Sequence, residues 1–185
     1  ILTYVGPYDE QAVGAAIRRE MLREGQVYVV HNRVQSIDHA VARLKELVPD
    51  ARYAVAHGQM SGKQVEEVMV GFVRHEVDIL VCTTIIESGL DIPNANTIII
   101  NRADRIGLAD MYQLRGRVGR SSRQSYAYLL VPSADKMTAD AGQRLRALMD
   151  CSDLGGGFKL AMNDLQIRGG GSMMTLEDEH GGASE

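Results

Sequence analysis

The sequence predicts an α/β fold, with a mainly parallel sheet flanked by helices and a helical hairpin appended towards the carboxyl end. Three observations carry that prediction. Short apolar runs at 1–5, 26–30, 53–56, 79–82 and 125–131 read as strands buried in a sheet. Stretches whose apolar residues recur every three or four positions separate them, the alternation that builds parallel sheets. Beyond residue 133 the strand pattern gives way to helical periodicity broken by two triple-glycine runs, 155–157 and 169–171.

In order along the chain, the first run is closed by Pro7, and Asp9 can cap a helix with Ala12, Ala15, Ala16, Arg19 and Leu22 at helical spacing and Gly25 as its stop. The run 26–30 ends in His31, Asn32 and Arg33, and polar groups at a strand's carboxyl end are where open α/β sheets bind ligands. A plain helix-leading loop accounts equally well for Arg33 taken singly. Ser36 can cap a helix carrying Ile37, Ala40, Val41, Leu44 and Leu47, with Pro49 just beyond it. The run 53–56 delivers His57, Gly58, Gln59 and Met60 to the same edge. Ser61 and Gln64 then make a capping box for a helix with Val65, Val68, Met69, Phe72 and Val73. The free N–H groups at that helix start favour an anion, although His57 serves equally well as a turn histidine. GQMSGK at 58–63 fails as a phosphate loop, being one residue short between glycines and followed by Gln64 where Ser or Thr would ligate magnesium. After 125–131 comes Pro132, and a helix with Ala141, Leu145, Leu148 and Met149 on one face begins near Ala139. A second helix with Phe158, Ala161, Met162 and Leu165 completes the hairpin.

At 185 residues and 45% hydrophobic content the chain can bury one substantial core, plus an appendage. The expected divisions are 1–133 for the α/β domain, 134–171 for the hairpin and 172–185 for a glycine-rich, charged and flexible tail. The formal net charge of −4 supplies no global field for nucleic acid, so a DNA partner must rest on local groups. Cys82 and Cys151 build no disulfide framework, and no histidine pairs with them at zinc-ligand spacing, so no metal site is expected in this chain. No membrane span or signal peptide is apparent, and a cytoplasmic location is expected. The chain starts at Ile1 without an initiator methionine and reads as a piece of a longer protein.

The stretch 79–120 organises the rest. QLRGRVGR at 113–120 sets Arg115, Arg117 and Arg120 around two glycines, so guanidinium forks and a close-lying backbone make an anion site. For such a run taken alone, a solvated basic turn is the plain alternative. Upstream, TTIIESGLDIP at 83–93 supplies hydroxyls, a glycine and carboxylates behind a strand. In this order and spacing the two stretches resemble motifs V and VI of superfamily 2 helicases and translocases. TTIIESGLDIPNANTIII and QLRGRVGRS resemble the second RecA-like motor lobe of the RecG and transcription-repair coupling factor (Mfd) translocases, and IPNANTIII with VHNRVQSIDHA at 30–40 is nearer the latter family. LGGGFKLAMNDLQIRGGG resembles the motif named for translocation in RecG. The tail TLEDEHGG departs from the Gly-Glu-Glu-Gln-Ser-Gly loop of those families, and Asp178 in place of the glutamine would repel phosphate.

The resemblance implies a RecA-like lobe that closes on a partner N-terminal RecA-like lobe of the same protein. ATP and Mg2+ would lie between them, with Mg2+ held mainly by the partner lobe. It implies Arg117 and Arg120 as arginine fingers, Gln113 as a γ-phosphate sensor, and Glu87, Gly89 and Asp91 near ribose and triphosphate, with a salt-bridge role as the alternative for Glu87. Asn32, Arg33, His57, Gly58, Thr83 and Thr84 would follow double-stranded DNA, and Arg144 and Arg168 would couple ATP state to DNA movement. RNA polymerase and excision-repair proteins would be partners through other domains. A RecG-like fork-remodelling lobe and a non-catalytic nucleic-acid-binding domain remain the alternatives.

Overall fold

A computed structural model describes residues 2–83, 92–118, 123–132, 136–150 and 174–176. Seven strands form one sheet in the order β3-β4-β2-β5-β6-β1-β7. They are β1 (Leu2–Pro7), β2 (Gln26–Val30), β3 (Tyr53–Ala56), β4 (Ile79–Cys82), β5 (Ala95–Ile100), β6 (Tyr126–Val131) and β7 (Met174–Leu176). The first six run parallel, and β7 lies antiparallel to β1 with Val5 opposite Met174. Three residues of the expected flexible tail are thus an edge strand in this structure.

Among the described residues five α-helices cover the sheet: α1 (Glu10–Leu22), α2 (Ile37–Leu47), α3 (Gly62–Val73), α4 (Leu108–Arg115) and α5 (Ala139–Asp150). Side chains along each strand alternate between two cores, as a pleated strand requires. Val27 and Val29 of β2 face Val13, Ile17, Val41 and Leu44 of α1 and α2, while Tyr28 and Val30 face Met69 and Phe72 of α3, Leu114 of α4 and Leu145 of α5. Phe72 is fully covered and meets the Tyr28 ring edge-on at 5.2 Å. Burying a ring of that size contributes about 1.5–3 kcal/mol.

The caps show how locally the sequence is read. Asp9 accepts from the N–H groups of Gln11 and Ala12, and Ser61 with Gln64 forms the expected reciprocal box. Ser36 departs from expectation. It precedes α2 but makes no cap bond, because its hydroxyl lies 2.7 Å from Nε2 of His31. The buried face of α1 is also rotated from the one its spacing suggested. Val13, Ala16, Ile17 and Glu20 point inward, while Leu22 is 86% exposed. A run of alanines fits either side of a helix, and the larger Val13 and Ile17 decide the orientation.

Glu20 is the costly member of that face. It is 1% exposed, and its Oε1 accepts from Thr97 Oγ1 at 2.5 Å and from Arg23 at 2.6 Å. A β-carbon on Gly25 would stand 1.9 Å from its Oε2. Gly25→Ala is therefore expected to destabilise the domain by about 1–3 kcal/mol, the range for overpacking a filled interior, read as a lowered urea midpoint. An unchanged midpoint would mean that the buried carboxylate can move aside.

Before β4, Asp78 fastens the β3 side of the sheet. Its carboxylate accepts from the Arg52 backbone N–H at 2.8 Å and from the Arg52 guanidinium at 3.1 and 3.0 Å. Burial pushes its pKa up, but the Arg52 hydrogen bonds and charge, with His75, outweigh that and hold it below the usual carboxylate value. A lowered folded pKa means this contribution is present above the ordinary value near 3.8 and is lost as pH falls through the folded one. Asp78→Asn should accordingly lower stability at neutral pH and shrink the further loss on acidification below about pH 4, measured as urea midpoints against pH.

Candidate functional site

Because six strands run parallel, their carboxyl ends share one edge, and the loops there collect most of the polar residues singled out above. β2 delivers His31, Asn32 and Arg33, β3 delivers His57 and Gly58, β4 ends at Cys82 before Thr83, and β5 opens into Asn101 and Arg102. Asn32, Arg33 and Gly58 are exposed and His57 is half-buried, whereas Thr83 is only 6% exposed. His57 does act as a turn residue, since its Nδ1 accepts from Gln59 N–H at 3.2 Å and its carbonyl from Met60 N–H at 3.1 Å. A β-carbon on Gly58 would meet nothing within 4 Å. The fold itself does not demand glycine there, but a ligand backbone lying close would.

On the α3 and α4 side, the arginine-rich turn is built around two apolar anchors. Leu114 and Val118 are 4% and 3% exposed and plug the core below, so that Arg117 between them is carried to the edge, half-buried. Its N–H donates to the Leu114 carbonyl at 3.0 Å, closing the turn after α4. The guanidinium charge is felt at Cys82, the last residue of β4. Burial pushes that thiol up to about 12, and Arg117 only partly counters it. A buried thiol held neutral is inert packing. Gln113 lies one helical turn earlier and is exposed. Of the run 113–120, residues up to Arg115 are helical and belong to α4.

On the α1 and α2 side, a crevice of about 820 Å³ opens between the carboxyl ends of β2, β5 and β6. Val29, Ile99 and Leu130 line its floor, and Arg33, Arg105 and Lys136 stand around it. His31 faces it, its pKa lowered by burial first and by the charges of Arg33 and His39 next. Asn101, Arg102, Arg105 and Lys136 were missed in the sequence. The signal was present, since NRADR follows the apolar run 95–100 as HNR follows 26–30.

Arg102 has a left-handed backbone, φ 50°, and its guanidinium grips the Asp104 carboxylate through two bonds of 2.9 and 2.8 Å. Arg144 on α5 spans onto the same turn. Its Nη2 donates to the Asp104 carbonyl at 2.6 Å and its Nη1 to Asp140 at 2.7 Å. α5, expected as the first arm of a hairpin, is thereby tied to the loop that leads into α4.

Glu87, Gly89, Asp91, Thr84, Arg120 and Arg168 lie outside the described residues, as does the second arm of the expected hairpin. Among the described residues no group of three or more His, Cys, Asp or Glu could hold a metal ion, and no helix is long and apolar enough to cross a membrane.

Comparison with known proteins agrees with the fold. The helicase conserved C-terminal domain profile matches residues 11–122. The transcription-repair-coupling factor of Escherichia coli (strain K12) is 54% identical over the whole chain, and that of Mycobacterium bovis is 53% identical over 96% of it. The chain spans only 16% and 14% of those two proteins. Among solved structures, RecG bound to a three-way DNA junction superposes with a TM-score of 0.72 at 36% identity, covering 90% of this chain and 22% of that one. Domain 2 of the DEAD-box helicase Mss116p, bound to an RNA duplex, shares the fold, with a TM-score of 0.60 at 19% identity over 82% of this chain and 59% of that one. The sheet, its RecA-like topology and the matched profile lead to one assignment: the chain belongs to the helicase conserved C-terminal domain family, as a superfamily 2 lobe similar along its whole length to transcription-repair-coupling factors.

Proposed function

We propose that this chain is the second motor lobe of an ATP-dependent double-stranded DNA translocase that acts in transcription-coupled repair by displacing stalled RNA polymerase. The observation that carries this reading is the 53–54% identity, sustained over 96–100% of the chain, to proteins named transcription-repair-coupling factor. The likeness to RecG bound to a DNA junction supports a DNA substrate and keeps a fork-remodelling lobe as the second reading.

ATP with Mg2+ supplies, when bound, the phosphoryl transfer that drives the cycle. Arg117 fits such a group, since its guanidinium stands at the carboxyl end of β4 on a turn pinned by Leu114 and Val118. Its role is to stabilise charge developing on the phosphoryl oxygens, a role Arg120 would share, with Gln113 sensing the γ-phosphate. Glu87, Gly89 and Asp91 would face the ribose and triphosphate. Among the described residues no group of three or more His, Cys, Asp or Glu offers itself to the Mg2+ ion, which the partner lobe would hold. Asn32, Arg33, His57 and Gly58, with Thr83 and Thr84, would hold one strand's phosphates through neutral donors and a single charge, so an acidic chain can still follow DNA. RNA polymerase and excision-repair proteins would meet other parts of the longer protein, in the cytoplasm.

The test is a triplex-displacement assay on the longer protein containing this chain. ATP-dependent displacement along duplex DNA is the expected result, and the 185-residue chain alone should hydrolyse no ATP above background. DNA-stimulated turnover by the chain alone would overturn the half-motor reading. Strand separation at forks without duplex translocation would transfer the lobe to the second reading.

A further inference from the structure

The crevice on the α1 and α2 side sits where the sheet changes direction. From β2 the chain leaves to α2 on one face, and from β5 it leaves to α4 on the other, as their membership of opposite cores shows. In open α/β sheets the gap outside two such carboxyl ends is the preferred ligand site. Here it is lined by His31 from β2 and Asn101 from β5. At about 820 Å³ it lies within the range of small-molecule sites, which runs from roughly 300 to 1,000 Å³.

Its chemistry is specific. The floor is apolar, which suits a ring rather than a bare phosphate chain. Arg33, Arg105 and Lys136 surround it, and none of the three is in an ion pair among the described residues. Tyr8, 50% exposed, offers an aromatic face at the same crevice. The Nδ1 of His31 is buried with no hydrogen-bond partner among the described residues. A ring against apolar and aromatic surface, with cations placed for an anion, is the pattern of a site for a nucleobase and its phosphate.

We propose that this crevice binds a single nucleotide unit, its ring against the apolar floor and Tyr8 and its phosphate between Arg105 and Lys136. It opens on the α1 and α2 face, whereas Arg117 is anchored in the core on the α4 face. The proposal is therefore separate from the Arg117 assignment, while it shares Asn32 and Arg33 with the residues proposed above to follow DNA, and the duplex arm of the test tells the two apart. The nucleotide can be free or part of an unpaired strand, and the test separates these sources.

The experiment titrates the chain with deoxyadenosine monophosphate, a short single-stranded oligonucleotide and a blunt duplex, by calorimetry or by chemical-shift changes. Saturable binding of the monophosphate is expected, weakened about tenfold or more in Arg105→Glu with Lys136→Glu, the size of one charge-assisted hydrogen bond. Tyr8→Ala should weaken it as well, with the thermal midpoint unchanged for both variants, and Arg105→Gln with Lys136→Gln gives the same test without added negative charge. Binding of the single strand alone, with the same losses, assigns the site to an unpaired strand. Three results overturn the proposal: no binding by either probe, duplex binding equal to single-strand binding with Tyr8→Ala silent, or binding that survives the Arg105 and Lys136 variants and vanishes in Arg117→Ala.

Discussion

Arg117→Ala, placed in the longer protein, is expected to lower ATP turnover by about 10³–10⁵, the range for removing an arginine finger, while DNA affinity stays close to that of the unsubstituted protein. The expectation follows from where the side chain stands. Leu114 and Val118 fix the turn from below, so the alanine variant should keep its fold and lose only the guanidinium. A lysine at this position restores the charge but not the two-pronged geometry, and Arg117→Lys should recover little of the rate. Steady-state ATPase with saturating DNA gives the first number, and fluorescence anisotropy on a labelled duplex gives the second. Equal losses in both assays would assign Arg117 to the DNA instead of the transition state.

Much of this lobe can be read from local sequence, for a physical reason. A strand buried on both faces reads as a near-continuous apolar run, so 26–30 and 79–82 announce themselves with the boundaries that β2 and β4 have, and the partly buried edge strand β3 does the same at 53–56. The Asp9 cap and the Ser61–Gln64 box are equally local, because each satisfies backbone N–H groups within three residues. What the sequence concealed depends on distant partners. The Ser36 hydroxyl is drawn away from its cap by His31, and α1 is turned by the sheet under Val13 and Ile17. α4 escaped notice because its residues were taken up in the stretch 79–120; Leu114 anchors it in the core, with Val118 in the turn beyond it.

The candidate site divides in the same way. Asn32, Arg33, His57 and Gly58 stand in loops at one edge of the sheet, and that much followed from strands ending in polar residues, whereas Arg117 was read from the Arg/Gly run 113–120. Asn101, Arg102 and Arg105 obey the same rule and were passed over, since their run blended into a motif already named as a whole. Lys136 carries no sequence signal, because only the tertiary fold brings it to the crevice.

Arg144→Ala should separate ATP hydrolysis from movement. The guanidinium has one prong on Asp140 of its own helix and the other on the Asp104 carbonyl, and Asp104 is gripped by Arg102 in a left-handed turn. That turn runs directly into α4, which carries Gln113 and precedes Arg117. A displacement of α4 on phosphoryl transfer would pull the turn, and through Arg144 the first arm of the hairpin. Arg168, expected on the second arm, would pass the movement on towards DNA. Alanine at either position in the longer protein is therefore expected to keep most ATPase activity and to slow triplex displacement by about 5- to 150-fold, the span of typical coupling energies. Arg144→Lys should not rescue, since one ammonium cannot hold a carbonyl and a carboxylate in a fixed fork. A merely structural Arg144 would behave differently: its loss would lower the thermal midpoint and reduce ATPase and displacement together. Displacement at the normal rate in both variants would leave the hairpin with a packing role alone.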